Sequence, residues 1–158
     1  MISDEIVNLL RSQSIDCKIH EHEAVVSIDD VKTKTFFPHE KLLKTLVFKN
    51  NRQYILIVIP GDKRLDYKKL SKCLNVSRQS LIFAQPGEVQ EELRCEIGGV
   101  SPIIPRSEVL VLIDKNAKNQ GVVFCGAGER SKTLEIKADD LIKASNARVA
   151  DIIEDIKL

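Results

Sequence analysis

Tryptophan is absent from this chain, and with one methionine, two tyrosines and five phenylalanines the interior must be filled by aliphatic side chains. Long apolar runs are missing too. The longest, "YILIVI" at 54–59, is far too short to cross a bilayer. The opening "MISDEIVNLL" carries acids where a secretory leader carries bases, and no small-residue cleavage site comes after it. The expected setting is the cytoplasm, with no membrane partner. Cys17, Cys73, Cys95 and Cys125 are widely spaced and form no C-x-x-C pair, which argues against a zinc knuckle or a thioredoxin-type site. Free thiols in a reducing compartment are expected instead. A net charge of +1 excludes a general coat for polyanions and gives no case for DNA binding. It leaves room for one basic face, since "DKRLDYKKLSK" at 62–72 gathers bases in a short span. Such a span is equally a solvated helix surface.

The composition and pattern fit one domain over 1–158, without repeats, low-complexity tracts or long linkers. Ile2, Ile6, Leu9 and Leu10 form one stripe of a helix over 3–13, with Ser3 placed to cap it. "CKIHEHE" reads as a strand. "KTLVFKN" and "QYILIVI" form a hairpin about Asn50, Asn51 and Arg52, and the second arm is apolar throughout, as in a strand covered on both faces. Asp66 starts a short basic helix with Tyr67 and Leu70 inward; "QSLIFA" is a strand; Pro86 opens the helix "GEVQEELR". "EVLVLID", "GVVFCG" and "TLEIK" are three more strands, and Ala138 onward reads as helix to the end with a break near Asn146. This order predicts an α/β (α+β) domain built on a mixed, curved, barrel-like sheet with short flanking helices.

Among residues able to carry chemistry, Lys44 shares a strand face with Leu46 and Phe48, so it either snorkels to water or stands at a pocket rim. Gly98-Gly99-Val100-Ser101-Pro102 is either a tight connection or a bare loop whose amides converge on an anion or oxyanion. "CGAGER" at 125–130 is a second glycine turn. The segment after it reads as strand, which fits neither a Walker A loop nor a dinucleotide fingerprint. His20 and His22, two apart on a strand, lack an evident third metal ligand, so no metal or cofactor is expected; His39 sits in a polar loop. No G-x-S-x-G elbow occurs, and no histidine is paired in sequence with Cys125. If this is an enzyme, it does not display a nucleophile.

Taken together, "KTLVF" from Lys44, "VIPGDKRLDYKKL", Gly98–Pro102 and "GAGERSKTLEIKADDL" resemble, in order and spacing, the YbaK/ProX family of aminoacyl-tRNA deacylases, related to the editing insertion of bacterial prolyl-tRNA synthetases. The resemblance covers about residues 17–155. It implies a mixed barrel-like sheet and hydrolysis of an ester wrongly attached to tRNA, most often Cys or Ala on tRNA(Pro). It implies that Lys44 faces the terminal adenosine and phosphate, or orients the reacting group. Gly99, Val100 and Ser101 would bind the ester carbonyl through backbone N–H, with Gly98, Pro102, His22, Ser27, Gly126 and Ala127 around the substrate. The partners implied are the 3′ aminoacyl end of tRNA and a prolyl-tRNA synthetase. Lys63, Arg64, Lys68 and Lys69 are candidate phosphate contacts. The loop departs from the family where Ile103 is followed by Ile104 and Pro105 rather than glycine. Two other readings stand beside the enzyme: a non-catalytic module binding a nucleotide, a tRNA end or a synthetase, and a thiol-dependent hydrolase using Cys125.

Overall fold

The computed structural model describes residues 1–105 and 107–155. In chain order the strands are β1 (Cys17–Glu21), β2 (Leu43–Asn50), β3 (Gln53–Pro60), β4 (Ile82–Phe83), β5 (Leu110–Asp114), β6 (Val122–Gly126), β7 (Lys132–Lys137) and β8 (Arg148–Ala150). The helices are α1 (Ile2–Ser12), α2 (Ile28–Lys34), α3 (Tyr67–Leu74), α4 (Pro86–Leu93), α5 (Lys115–Lys118) and α6 (Ala138–Ser145). They build a mixed α/β fold on two sheets, ordered β1-β7-β6 and β4-β2-β3-β5-β8. The first sheet is antiparallel, whereas in the second β5 runs parallel to both β3 and β8. A single parallel bridge, Leu42 to Phe124, links the sheets, and no closed barrel forms among the described residues. No described helix is long and apolar enough to cross a membrane.

The hairpin of β2 and β3 is the spine. Asn50 faces Gln53 across a two-residue turn in which Asn51 takes a positive φ of 55°. β3 is buried from Ile55 to Pro60 because its alternate residues serve two cores. Leu56 and Val58 enter the larger core, with Ile6, Leu10 and Leu134, while Ile55, Ile57 and Ile59 pack with Phe48, Leu70 and Ile152. A strand buried on both faces must read as continuously apolar, and this one does.

Local signals set several boundaries. Asp66 caps α3 by accepting from Lys69 N at 3.0 Å, and Asn75 closes it in the left-handed region at φ 55°. At α4, Pro86 is the first helical residue, and Gln85 N–H donates to Glu88 Oε2 at 3.1 Å in a capping box.

Other expectations are corrected. Ser3 does not cap α1; Met1 stands at the cap position, and Ser3 lies buried in the first turn, its Oγ accepting from Lys132 Nζ at 3.3 Å. "QSLIFA" shrinks to the two residues of β4 after a 3-10 turn, Arg78–Ser80. The helix expected from Ala138 to the end stops at Ser145, where Asn146 adopts φ 53°, and the chain returns as β8; its last three residues, 156–158, lie outside the described residues. Two short helices, α2 and α5, are additional.

β8 and the segment after it are tied down by Asp114, a carboxylate with no exposed surface. Its Oδ2 accepts from Asn116 N at 2.9 Å and Asn116 Nδ2 at 3.0 Å, and its Oδ1 accepts from Ile152 N at 3.0 Å. The segment then crosses Leu65 and Asp66, with Asp66 N donating to Ile152 O at 2.8 Å. Asp114→Ala should leave buried donors without acceptors and cost about 3 kcal/mol of stability. Urea unfolding reads this directly, and a loss below about 1 kcal/mol would contradict the anchoring role.

Candidate functional site

β4 pairs with β2 only at Phe48 and Lys49, so the first half of β2 has an open edge. The bond from Ala84 N to Val47 O, at 3.0 Å, fixes which residues point outward there. By the two-residue period, Leu43, Thr45 and Val47 turn their main-chain groups away from β3. A cavity of about 350 Å³ lies along this edge. Its inner wall is apolar, from Val25, Leu43, Val47, Val89, Val100 and Cys125. α2 closes one side with Ile28 and Val31.

The floor consists of main chain. The turn 126–131 and the loop 96–101 are laced together: Glu96 N donates to Gly128 O at 2.9 Å, Gly128 N to Gly99 O at 2.6 Å, and Arg130 N to Glu96 Oε1 at 3.0 Å. The segment after β1 joins them through His22 N to Ser131 O at 2.9 Å and Val25 N to Arg130 O at 3.0 Å. Such approach leaves no room for side chains. A Cβ on Gly98, whose φ is 90°, would collide with Val25 O; one on Gly99 with the Glu129 carbonyl; one on Gly126 with Val100 O. Gly128, at φ 97°, lies against Ile2 of α1.

Of the residues expected at a site, Lys44, Ser27, Gly98, Val100 and Gly126 line this cavity. Gly99, Ser101, Pro102, Ala127 and His22 do not; Ser101 and Ala127 have no exposed surface and belong to the packing beneath. The loop amides are also divided. Gly99 N donates to Glu96 O at 2.9 Å and the Ser101 amide bonds the Cys95 thiol, whereas the amides of Gly98 and Val100 have no partner among the described residues. Ser27 has a local task as well, capping α2 by accepting from Asp30 N at 3.1 Å.

His22 acts at one remove. Its Nδ1 must donate to Glu23 O, 2.7 Å away, because a carbonyl only accepts. In the neutral ring Nε2 then accepts from Thr133 Oγ1 at 2.8 Å, so this cavity-lining hydroxyl keeps only lone pairs for other partners. Thr45 Oγ1 is buried with no hydrogen-bond partner among the described residues. Sequence reading missed both threonines. Thr45 could be found from its place beside Lys44, but Thr133 depends on the register that sets it opposite His20. His20 bonds Glu135 at 2.9 Å and meets Phe37 edge-on at 5.1 Å, a packing role. Among the described residues no group of three or more His, Cys, Asp or Glu is disposed to hold a metal.

Lys44 stands on the other face of β2. Burial is the main cause that moves its proton affinity below the ordinary lysine value; Asp62 opposes this, and Arg64 and Lys32 add to it. None of Lys32, Lys44 and Arg64 is ion-paired among the described residues, although Asp62 lies close enough to act on the Lys44 charge. Of the other bases expected on phosphate, Lys69 is committed to Asp155 at 2.8 Å, Asp151 at 3.3 Å and Ile153 O at 2.8 Å. The Cys125 thiol, buried against this cavity, is pushed up to about 12 by burial. At neutral pH it holds no thiolate to attack with.

Comparison with known proteins agrees with this geometry. The sequence profile of the aminoacyl-tRNA editing domain matches residues 22–144. The proline–tRNA ligase of Fervidobacterium nodosum is 34% identical over 79 residues, 50% of this chain and 13% of that ligase, so the chain spans a small part of such relatives. The prolyl-tRNA editing protein ProX of Acetoanaerobium sticklandii is 26% identical over 148 residues, 90% of this chain and 89% of that protein. A crystal structure described as a candidate trans-editing enzyme for prolyl tRNA synthetase superimposes with a TM-score of 0.81 at 22% identity, covering 98% of this chain and 99% of that one. With a glycine-floored cavity, a rim lysine and more than half its length matched, the chain belongs to the aminoacyl-tRNA editing domain family, a family of ester-hydrolysing deacylases of the YbaK/ProX kind.

Proposed function

We propose that this chain, as one domain, removes a wrongly attached amino acid from the 3′ end of tRNA, with Cys or Ala on tRNA(Pro) as the leading substrates. The observation that carries this reading is one small apolar chamber lined both by the open edge of β2 and by Gly98 and Val100, whose amides have no partner among the described residues. An amino acid ester is already activated, so positioning and donors aimed at the developing oxyanion can supply most of the rate. The Gly98 and Val100 amides are the donors we assign, replacing the expected set of Gly99, Val100 and Ser101. Lys44 takes the negative charge of the nucleotide. Attack comes from water or from a thiol or ribose hydroxyl of the substrate. The chamber admits a small uncharged side chain, since beyond the loop amides its inner wall offers hydroxyls and one protonated thiol and no charged group. Resemblance to synthetase-borne domains supports a prolyl-tRNA synthetase as partner.

The binding-module reading keeps the same cavity without turnover. A thiol hydrolase is disfavoured by the buried, protonated Cys125.

Lys44→Ala should lower kcat/KM for deacylation about 10- to 100-fold, or about 1.4 to 2.7 kcal/mol, with the thermal midpoint unchanged. A rate equal to wild type would remove Lys44 from the site. In native protein at pH 8, Cys125 should resist alkylation while half-buried Cys73 reacts, and Cys125→Ala should still deacylate. An inactive Cys125→Ala that folds normally would revive the thiol mechanism.

A further inference from the structure

A second cleft, of about 600 Å³, lies apart from the chamber, between α1 and β1. Its helix wall carries Asp4, Asn8 and Arg11, an exposed stripe at i, i+4 and i+7 beside the buried one of Ile2, Ile6 and Leu10. Its other wall carries Cys17, Ile19 and Glu21 of β1. β1 is an edge of its sheet and pairs with β7 alone. The bond from His22 N to Ser131 O, at 2.9 Å, sets the alternation along it. Lys18 and His20, in step with His22, direct their main-chain groups to β7, so those of Cys17, Ile19 and Glu21 point away from it. Nothing outside the ladder bonds those groups among the described residues. A strand edge left bare beside a cleft is a seat for one further strand.

Charge decides which strand. After α1 the chain turns back, with Ile15 N donating to Leu10 O at 2.9 Å, and β1 returns along the helix. Burial pushes the Cys17 thiol up, and Arg11 stands close enough to oppose this. At the far end Glu21 lies 4.0 Å from Lys132 Nζ, which also bonds Ser3 Oγ at 3.3 Å. Arg11 is therefore level with Cys17, Asp4 with Glu21, and Asn8 with Ile19 between them. The cleft has a cation toward one end and two acids at the other, an order that matches its own reverse. Antiparallel pairing of two β1 edges about a two-fold axis at Ile19 sets Cys17 opposite Glu21 of the second copy. It also sets Arg11 against Asp4 and Glu21 of that copy, and repeats both contacts across the axis. Asp16, beside Cys17, falls at the end where the second copy brings Lys132. On the other face Lys18 comes across from His20, whose Nε2 is already bonded to Glu135 at 2.9 Å. The Arg11 side chain has no partner among the described residues, and the ion pair of Asp4 is to the N-terminal ammonium at 3.7 Å. A foreign strand has no reason to carry this reversed order; the chain itself does. We infer that two copies of this chain join through their β1 edges into one six-stranded antiparallel sheet, ordered β6-β7-β1-β1-β7-β6, with the two α1 helices side by side on it.

Sedimentation equilibrium of the full chain should give a dimer with a dissociation constant on the order of 10 µM. Arg11→Glu, at an exposed position, should weaken it at least about tenfold with the thermal midpoint held, because each end then gathers like charges. Adding Asp4→Arg and Glu21→Arg to that variant should restore the dimer. The register has its own test. Paired residues on bonded antiparallel strands lie about 5.5 Å apart between Cα atoms, within reach of a disulfide. Glu21→Cys, oxidised with diamide, should therefore link to Cys17 of the second copy and run as a covalent dimer on a non-reducing gel. Cys17→Ser in the same background should abolish the link, and positions 17 and 21, about 13 Å apart along one strand, cannot join within a chain. A protein that stays monomeric at about 200 µM overturns the pairing. A dimer that neither responds to Arg11→Glu nor cross-links through Glu21→Cys uses another face and overturns it as well. A monomer whose Ile19 and Glu21 amides become slow to exchange only on addition of charged tRNA or a synthetase assigns the edge to a foreign partner instead. None of these readouts involves deacylation, so the dimer and the editing reading fail separately.

Discussion

The whole site depends on three stretches of main chain lying against one another without side chains between them. Gly98 permits the loop 96–101 to touch Val25, Gly99 lets it touch Glu129, and Gly126 lets β6 run beneath Val100. The hydrogen bonds that lace these stretches occupy the amides of Glu96, Gly99, Gly128 and Arg130, while Gly98 and Val100, whose amides have no partner among the described residues, line the cavity. A main-chain floor is stiff, since each segment is held by bonds to the others rather than by rotatable side chains. That stiffness suits a catalyst whose means are geometry and fixed dipoles. It also makes plain that Gly99 acts through packing: a side chain there would lever the loop off the turn, not project into the chamber.

The supports extend well away from the cavity. α1 abuts the turn through Ile2 on Gly128, and Lys132 reaches from the start of β7 to Ser3 and to the buried carboxylate of Glu129, 3.6 Å away. On the opposite side the C-terminal segment fastens Leu65 and Asp66, one residue from Arg64. Two cores share β3, so the face that carries the inner chamber and the face that carries Lys44 are held in fixed relation by a single strand. This is why the chamber and the cationic rim can serve opposite sides of one β2 edge.

Much of this is legible in the sequence. The β2–β3 hairpin shows in its turn and in the unbroken apolar arm, and α3 and α4 show in Asp66 and Pro86, because these are local signals. Lys44 and the glycine loop are visible as residue types in an order that resembles a known family. The features that escape reading depend on contacts distant in sequence. β8 is stabilised by a parallel neighbour and by Asp114, so nothing within Arg148–Ala150 announces a strand. Ser3 is of the right type and place for a cap, but Lys132, far along the chain, claims its hydroxyl. The division of loop amides escapes for a different reason: the bonds are local, Gly99 to Glu96 O and Ser101 to the Cys95 thiol, but residue types alone do not say which amides of the loop stay unbonded.

The central claim is that a chamber without a nucleophile hydrolyses an aminoacyl ester on tRNA. The most direct measurement is release of labelled amino acid by the wild-type protein from Cys-, Ala- and Pro-tRNA(Pro), with Ser-tRNA and Cys-tRNA(Cys) alongside. The account predicts release well above the spontaneous rate from Cys- or Ala-tRNA(Pro), with Pro-tRNA(Pro) spared. Release from none of them above the spontaneous rate would contradict it and leave a domain that binds a tRNA end without cleaving it.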